Sequence, residues 1–253
     1  MITSLFTSYR MWLGRGIEIF RKLKDVQNFL ASKPANTYWV AQKYIERPLL
    51  YNERKFDIRV WVLVTNKLDV YFCQQGYMRT SSDSYDLSAT NNYVHLTNNC
   101  LQQHGNNYGR WEEGNTLPYE ALKKWIKDKY PKIEFDFEKH ILKRMKDLII
   151  DTFLAWKKNL NPYNRKNCFE LFGYDFLIDE DLRTWLIEVI SLLKPLSDKI
   201  HLIRSTPILI WAYLTILLLD FYREWLITCL KSYWIHYFLQ KNQGQGRRIT
   251  YSS

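Results

Sequence analysis

Apolar and polar positions alternate most clearly between residues 56 and 64. Asp57, Arg59 and Trp61 alternate there with a second series of side chains, which are Phe56, Ile58, Val60, Val62 and Val64. This period of two predicts a half-buried β-strand. Asn66-Lys67 then predicts a hairpin turn into a strand at residues 70–73, and residues 77–80 are expected to continue the same sheet.

Other segments carry the spacing of helices. Residues 22–31 place apolar side chains at helical intervals, and a short helix is predicted after Pro118. A long helix follows, whose predicted apolar face consists of Phe137, Ile141, Met145, Leu148, Ile149, Thr152 and Trp156. Residues 83–116 are rich in Ser, Asn, Asp and Gly, which predicts a long loop of the kind that is usually functional or disordered.

Two β-rich runs surround an acidic turn at residues 179–183. An antiparallel hairpin with its midpoint between residues 181 and 182 places Asp175 opposite Glu188 on one face of the sheet. Two carboxylates in this position repel each other, and a divalent cation with oxygen ligands would compensate for them. The alternative is a register that differs by one or two residues, with both carboxylates simply exposed.

Composition and charge describe a folded protein with a basic surface. The chain has 253 residues, of which 47% are hydrophobic and 25% charged, and its formal net charge is +10. This composition excludes a disordered chain. The charge favours an acidic partner, such as nucleic acid, anionic lipid or an acidic protein tail, but a solvated lysine-rich surface explains it equally well.

Arginines on neighbouring strands suggest an anion site. Arg59 shares a strand face with Asp57, Lys55 precedes them with the same parity, and Arg79 is expected on an adjacent strand. Two converging guanidinium groups can hold a phosphate or a carboxylate through paired hydrogen bonds. A peripheral ion pair is the alternative for each arginine.

An ordered series of motifs adds a family resemblance. The motifs are Trp39-Val-Ala-Gln-Lys-Tyr-Ile-Glu-Arg-Pro-Leu-Leu50, Lys55-Phe-Asp-Ile-Arg59, Tyr77-Met-Arg-Thr-Ser-Ser82, His95-Leu-Thr-Asn-Asn99, Asn107-Tyr-Gly-Arg-Trp-Glu-Glu-Gly-Asn115, Phe169-Glu-Leu-Phe-Gly-Tyr-Asp-Phe-Leu-Ile178 and Trp185-Leu-Ile-Glu-Val189. In this order they resemble the ATP-grasp core of the tubulin–tyrosine ligase family. Glu112-Glu113-Gly114-Asn115 is most similar to the tyrosine-ligase branch, whereas Gly14-Arg15-Gly16-Ile17 is more similar to the glutamylating and glycylating branches.

The resemblance implies an α+β fold: an ATP-grasp core with mixed and antiparallel sheets flanked by helices. Residues 1–204 are expected to form a partial ligase core, without the smaller domain that precedes it in the family. Residues 205–253 are expected to form a divergent, apolar helical tail.

The resemblance also implies a role for individual residues. Arg59 and Arg79 match the catalytic arginines, and Asp175 and Glu188 match the carboxylates that bind Mg²⁺. Thr97 and Asn98 match a loop that approaches the γ-phosphate. The full set that matches ATP-binding positions is Gly14, Gly16, Gln42, Lys43, Tyr44, Ile45, Lys55, Asp57, Thr97 and Asn98.

The implied activity is an ATP-dependent ligation that adds tyrosine, glutamate or glycine to tubulin. ATP phosphorylates a glutamate carboxylate, and the amine of the amino-acid co-substrate displaces phosphate from the acyl phosphate. The implied partner is the acidic C-terminal tail of tubulin, not nucleic acid. The implied location is the cytoplasm, in association with microtubules or cilia.

Two departures from the family pattern leave a second hypothesis open. The chain has Glu188-Val189-Ile190 where relatives usually have Glu-Val-Asn, and no lysine precedes Gly14. Isoleucine cannot coordinate a cation, so at least one magnesium ligand is missing. The alternative is therefore a catalytically impaired pseudo-ligase that still binds tubulin or microtubules.

The segment from residue 206 to residue 238 is rich in Ile, Leu, Trp and Tyr. A packing helix is the first interpretation, because a bilayer span would have to bury Asp220, Arg223 and Glu224. Membrane association and an aberrant end of the chain are the alternatives.

Overall fold

The computed structural model describes residues 17–34, 39–131 and 135–191, together with the backbone of residues 4–8. Its strands are β1 (Ser4–Ser8), β2 (Ile17–Phe20), β3 (Trp39–Lys43), β4 (Leu50–Tyr51), β5 (Arg54–Thr65), β6 (Val70–Phe72), β7 (Tyr77–Ser84), β8 (Thr116–Pro118), β9 (Phe169–Ile178) and β10 (Thr184–Ser191). Its α-helices are α1 (Leu23–Ala31), α2 (Asn92–His95), α3 (Asn99–Gln102), α4 (Tyr119–Lys129) and α5 (Lys143–Leu160). A 3₁₀ turn occupies Glu113–Asn115 and a π-helical turn occupies Glu138–Leu142.

A small antiparallel sheet in the order β2–β1–β3 is formed by the first part of the chain. Helix α1 lies beside it, because the ring of Phe29 packs between Phe20 and Trp39 at centroid distances of 5.0 and 4.8 Å. These three aromatic rings attach the helix to both outer strands of the sheet.

A larger, seven-stranded sheet carries the rest of the strands. Its main order is β10–β9–β5–β7–β8, and β4 and β6 pair with the two ends of β5. Every pairing in this sheet is antiparallel. The architecture is thus an α+β fold with helices and sheets, as the family resemblance implies, and all strand pairings in the described part of the chain are antiparallel rather than mixed.

One face of the larger sheet packs against helices α4 and α5. The alternating apolar series of β5 lies on this face, together with Met78 of β7 and Tyr174 of β9. The two helices and the π-helical turn before α5 contribute Leu122, Ile126, Ile141, Met145 and Ile149. The long helix therefore uses most of its predicted face, although Trp156 at its end is 49% exposed.

The other face of β5 is buried as well, so the prediction of a half-buried strand is wrong. Asp57 and Arg59 are only 6% and 8% exposed. Alternation correctly separates the apolar face from the polar one, but it cannot show that charged side chains on neighbouring strands cover each other. This second buried face holds the candidate site.

The segment at residues 83–116 is more structured than the predicted loop. It contains α2, α3 and the 3₁₀ turn, and Asn91 and Asn98 cap the two short helices with their side chains. Buried Gln102 ties it to β7, because its side-chain oxygen accepts hydrogen bonds from the backbone N–H and hydroxyl group of Ser82 at 2.9 and 2.7 Å. The loop composition thus encodes capped turns that lie against the sheet.

Several predictions fall outside the described residues. Gly14 and Gly16 do so, as does the whole tail at residues 205–253, so the proposed division of the chain stays a prediction. Within the described residues, no helix is both long and apolar enough to span a bilayer.

Candidate active site

Four charged side chains on three neighbouring strands form the centre of the site. Strand register places Arg59 opposite Asp175 and Asp57 opposite Arg79. Arg59 donates through Nε to Asp175 Oδ1 and through Nη2 to Oδ2, the latter at 2.9 Å. Arg79 joins both carboxylates, donating from Nη2 to Asp175 at 2.6 Å and from Nε to Asp57 at 2.7 Å. The result is a buried ladder of alternating charge.

The hairpin of β9 and β10 adds the second predicted carboxylate. Glu188 lies directly opposite Asp175, which confirms the predicted pairing. A bulge between Leu186 and Glu188 produces it: Leu186 still pairs with Phe176, and Ile187 is the extra residue. Without the bulge, Ile187 would stand opposite Asp175. Glu188 keeps part of its surface in contact with solvent, so it forms the open edge of the ladder.

The two carboxylates differ in their proton affinity. Burial acts to raise the pKa of Asp175, but the charges and hydrogen bonds of Arg79 and Arg59 prevail and lower it. Partial burial raises the pKa of Glu188, and the negative charge of Asp175 raises it further. Glu188 is therefore the carboxylate that has most to gain from a neighbouring cation.

The donor set fits one magnesium ion. A carboxylate has about four lone-pair positions, and the two arginines occupy three of those on Asp175. One position on Asp175 and the Glu188 carboxylate remain, and Mg²⁺ is commonly held by one or two carboxylates plus substrate phosphates. No group of three or more His, Cys, Asp or Glu side chains able to hold a metal occurs in the described part of the chain.

Ile190 lies at the margin of this site. It follows Glu188 by two residues on the same strand, and it pairs with Gly173, which in turn pairs with Trp61 of β5. Residues two apart on a strand face the same side, so the isoleucine side chain shares the face of Glu188. The position at which the family resemblance implies an asparagine is thus apolar here and next to the predicted metal ligands.

A second buried network surrounds Lys55. The Lys55 ammonium group donates to the hydroxyl group of Tyr44 at 3.1 Å and to the backbone carbonyl of His95 at 2.8 Å. The imidazole of His95 bridges the Tyr44 hydroxyl group and the carbonyl oxygen of Ala89, both at 2.9 Å. His95 belongs to the motif at residues 95–99, but no role is predicted for it from the sequence. The feature of the sequence that could have indicated a role is an imidazole two residues before Thr97.

The loop that contains Thr97 reaches the ladder directly. The Thr97 hydroxyl group donates a hydrogen bond to Asp57 Oδ2. Asn98 instead caps helix α3, where its side-chain oxygen accepts a hydrogen bond from the backbone N–H of Cys100 at 2.9 Å. Thr97 therefore belongs to the charged cluster, whereas the contact of Asn98 is structural.

The strand that leads to Tyr44 carries the remaining predicted residues. Gln42 is half-buried and Lys43 is exposed at the end of β3, and half-buried Ile45 follows Tyr44. In the described structure, only Tyr44 of this group contacts the buried networks.

An unpredicted ion pair holds the far end of β5. Arg54 is 3% exposed and donates to both oxygens of Glu112, with an Nη1–Oε2 distance of 2.8 Å. Buried Asn115 donates to the Thr80 carbonyl at 3.0 Å and accepts from the Gly109 N–H at 2.8 Å. Two residues of the motif that resembles the tyrosine-ligase branch thus fix a loop against β7.

Known proteins are similar in sequence to much of this chain. A tubulin glycylase 3C from Tetrahymena thermophila is 38% identical over 186 residues, which cover 70% of this chain and 17% of that protein. Tubulin monoglycylase TTLL3 from Danio rerio is 34% identical over 187 residues, covering 70% of this chain and 24% of the relative. A probable tubulin polyglutamylase TTLL2 from Homo sapiens is 36% identical over 182 residues, which cover 70% of this chain and 28% of that protein.

The chain therefore spans less than a third of the length of these relatives. The model of the Tubulin-tyrosine ligase family matches residues 12–192. This range contains the charged ladder, the Lys55 network and the β9–β10 hairpin. The chain belongs to the Tubulin-tyrosine ligase family.

Proposed function

We propose that this chain is the ATP-grasp core of a ligase that adds an amino acid to the acidic tails of tubulin. The observation that carries the proposal is the ladder formed by Asp57, Arg59, Arg79 and Asp175, with Glu188 at its open edge. Such a ligation must orient anionic substrates and stabilise the charge of a transferring phosphoryl group. Arginine forks and magnesium-binding carboxylates are the groups suited to both tasks.

The residues divide into two roles toward the nucleotide. Lys55 would bind an anionic part of ATP, and the segments at Gln42–Ile45 and Gly14–Gly16 would line the rest of the nucleotide site. Asp175 and Glu188 would hold Mg²⁺. When bound, ATP with Mg²⁺ supplies the phosphoryl group that converts a glutamate carboxylate into an acyl phosphate.

Arg59 and Arg79 would then exchange partners. In the described structure both guanidinium groups are paired with carboxylates of the chain itself. Asp175 would share its negative charge with a bound cation, so it would hold the arginines less tightly, and N–H groups of Arg59 and Arg79 would be left to orient a phosphoryl oxygen or a substrate carboxylate. The ladder would therefore hold two guanidinium groups next to the place where negative charge develops during the reaction.

The partner and the co-substrate follow from charge and from the relatives. The acidic tail of tubulin complements a chain with a net charge of +10. Two of the three relatives reported above are named glycylases and one a polyglutamylase, so glycine is the first amino acid to test and glutamate the second. Association with microtubules or cilia in the cytoplasm is part of the same proposal.

Ile190 motivates the competing function. An apolar side chain at the margin of the metal site would weaken magnesium binding, and a pseudo-ligase could retain tubulin binding without turnover. Incubation of the purified chain with tubulin, ATP, Mg²⁺ and labelled glycine, glutamate or tyrosine distinguishes the two. Incorporation that is lost in Arg79→Ala supports the ligase, whereas tubulin binding without any incorporation supports the pseudo-ligase.

A further inference from the structure

The Lys55 ammonium group is buried beside an aromatic ring. It is 7% exposed and lies 4.4 Å from the centre of the Tyr44 ring. An ammonium group has three N–H donors. Among the described residues it has two oxygen partners, the Tyr44 hydroxyl group and the His95 carbonyl, so one N–H remains for a ligand.

Donor and acceptor chemistry gives the network a direction. The Ala89 carbonyl can only accept, so His95 Nε2 carries the proton that bonds to it. In a neutral imidazole the other nitrogen, Nδ1, is then an acceptor, and the Tyr44 hydroxyl group donates to it. The Tyr44 oxygen can then accept the hydrogen bond from Lys55, and the hydroxyl group of Tyr85 is a further neighbour of that oxygen. Each group thus determines the hydrogen-bonding role of the next.

The surroundings keep His95 neutral. Burial lowers its pKa, the positive charges of Lys55 and Arg21 lower it further, and the Ala89 hydrogen bond and Asp86 act in the opposite direction. Two tyrosines, Tyr44 and Tyr85, lie edge-on to the imidazole ring at centroid distances of 5.6 and 6.0 Å. The neutral tautomer required by the hydrogen bonds is therefore also the one that the charges favour.

The network also reaches the smaller sheet. Arg21, which follows β2, donates to the same Ala89 carbonyl at 2.9 Å. The oxygen that orients His95 is thus held from two sides. A continuous set of contacts joins the end of β2, through Ala89, His95 and Tyr44, to Lys55 on β5.

We propose that His95 and the hydroxyl group of Tyr44 are positioning residues, which hold the Lys55 ammonium group with one N–H directed to an anionic group of the nucleotide. The proposal rests on the proposed ATP site and adds two side chains to it. Neither side chain needs to contact the nucleotide. Their role is to keep a buried cation in one orientation before the ligand arrives.

Protonation of His95 would reverse the direction of the hydrogen bond between Tyr44 and His95. An imidazolium donates from both nitrogens, so Tyr44 could no longer donate to Nδ1 and its oxygen would face two cations. The groups that face His95 include the cations Lys55 and Arg21, the carboxylate of Asp86 and the phenols Tyr44 and Tyr85. Nucleotide binding is therefore expected to weaken as the pH falls and His95 becomes charged.

The first test removes one oxygen atom. Tyr44→Phe keeps the ring beside Lys55 but deletes the hydroxyl group, and it should weaken binding of a non-hydrolysable ATP analogue about tenfold, as for the loss of one buried charge-assisted hydrogen bond. Tyr174→Phe is the matched control. It deletes a hydroxyl group that bonds to Thr152 at 2.7 Å on the opposite face of the sheet, so it should lower stability without changing nucleotide affinity. Equal affinity loss in both variants would overturn the positioning role.

The second test separates chemistry from packing at His95. The side chain of asparagine places a hydrogen-bonding group near the position of Nδ1, whereas that of leucine fills space alone. His95→Asn should retain most of the nucleotide affinity and lose the decline in acid, and His95→Leu should bind about tenfold more weakly at all pH values. Two variants that bind equally well, or a decline in acid that persists in His95→Asn, would contradict the proposal.

A ligand-free measurement distinguishes this proposal from the proposed function. NMR titration of the Lys55 side chain in protein with isotope-labelled lysine reports the ammonium group without nucleotide. Loss of the Tyr44 acceptor should lower the pKa of Lys55 relative to the wild-type chain, and Tyr174→Phe should leave it unchanged. An unchanged Lys55 titration in Tyr44→Phe overturns the network. If the Lys55 titration changes in Tyr44→Phe while the wild-type chain binds no ATP analogue, the network is supported and the ATP site is refuted.

Discussion

At the scale of single residues, Asp175 has both a structural and a proposed chemical role. Its two oxygens hold Arg59 and Arg79, and all three side chains are buried. Removing one partner of a buried ion pair costs about 3–5 kcal/mol, because the other charge is left uncompensated. Substitution of Asp175 therefore cannot separate metal binding from folding. Glu188, exposed and directly opposite it, can.

The first prediction concerns Glu188→Gln. This change preserves shape but removes a negative charge opposite Asp175, so stability without ligand should stay the same or rise slightly. Stabilisation by ATP with Mg²⁺ should fall by about 1–2 kcal/mol, equivalent to an affinity loss of about tenfold. Thermal unfolding with and without the ligands measures both. Asp175→Asn is the comparison, and it should lose stability even without ligand.

The second prediction concerns Ile190→Asn, which adds an amide oxygen on the face of Glu188. Magnesium affinity in the presence of ATP should rise about tenfold, because the site gains an oxygen ligand at little cost in burial. Isothermal titration of Mg²⁺ into the complex with an ATP analogue measures it. Ile190→Leu is the control, and an equal change in both variants would contradict a metal-ligand role for this position.

The third prediction links the burial of Lys55 to stability. Burial lowers the pKa of Lys55 from 10.5 to about 8, although Asp57 opposes the shift. The unfolded chain thus binds more protons between these values, and stability should rise with pH across that window. Lys55→Met should stabilise the protein by about 2 kcal/mol at neutral pH while abolishing nucleotide binding, and the gain should shrink above pH 8. Urea denaturation at a series of pH values tests the sign.

At the scale of elements, the close approach of β5 and β9 depends on Gly173. A Cβ atom on Gly173 would lie 3.0 Å from Trp61 Cζ3 and 3.4 Å from Arg59 Cδ. The Arg59 guanidinium group also lies 5.3 Å from the Trp61 ring. The missing side chain on β9 therefore makes room for the indole that supports the arginine of the ladder.

The fourth prediction follows from this contact. Gly173→Ala should destabilise the protein by about 1–3 kcal/mol, because Trp61 or Arg59 must move. Arg59 would lose part of its alignment with Asp175. The smaller ring in Trp61→Phe should recover part of this loss, so the double variant should be more stable than the two single effects predict. Chemical denaturation of the four proteins measures the coupling, and strict additivity would contradict a shared contact.

The elements also show what the sequence could and could not predict. Alternation along β5 and the position of the acidic turn were sufficient to predict strand β5 and the β9–β10 hairpin, but not the burial of both faces of β5. The bulge at Leu186 was not predicted, since nothing in a run of apolar residues marks an extra one. Arg54–Glu112 was missed for a related reason: partners 58 positions apart meet only through strand order, which local patterns do not contain.

The candidate site was predictable to the extent that it depends on parity. Asp57 and Arg59 share one face because they lie two positions apart on β5, and strand pairing together with the β10 bulge brings Arg79, Asp175 and Glu188 to the same face. His95 was not predicted as a site residue. Its proposed role depends on the direction of the hydrogen bonds through Tyr44. These directions follow from atomic positions and cannot be inferred from the spacing of residues in the sequence.

At the scale of the whole molecule, the charge of the chain leads to a fifth prediction. A net charge of +10 should attract an acidic tail over several ångströms, and salt should screen that attraction. Binding to microtubules should weaken about tenfold as salt rises from low to physiological ionic strength. Co-sedimentation measures it, with microtubules whose acidic tails have been removed by protease as the control. Equal salt dependence on both kinds of microtubule would contradict tail recognition.

The order in which strands are synthesised has a consequence for how the protein acquires its site. Arg59 and its carboxylate partner Asp175 are separated by 116 positions, and β9 is the strand that covers one side of β5. On a translating ribosome, β5 is complete long before β9 exists, so the nascent chain carries an open strand edge beside an unpaired arginine. Slowing translation between these two strands should prolong that vulnerable state, and binding by a chaperone would be most valuable during this interval.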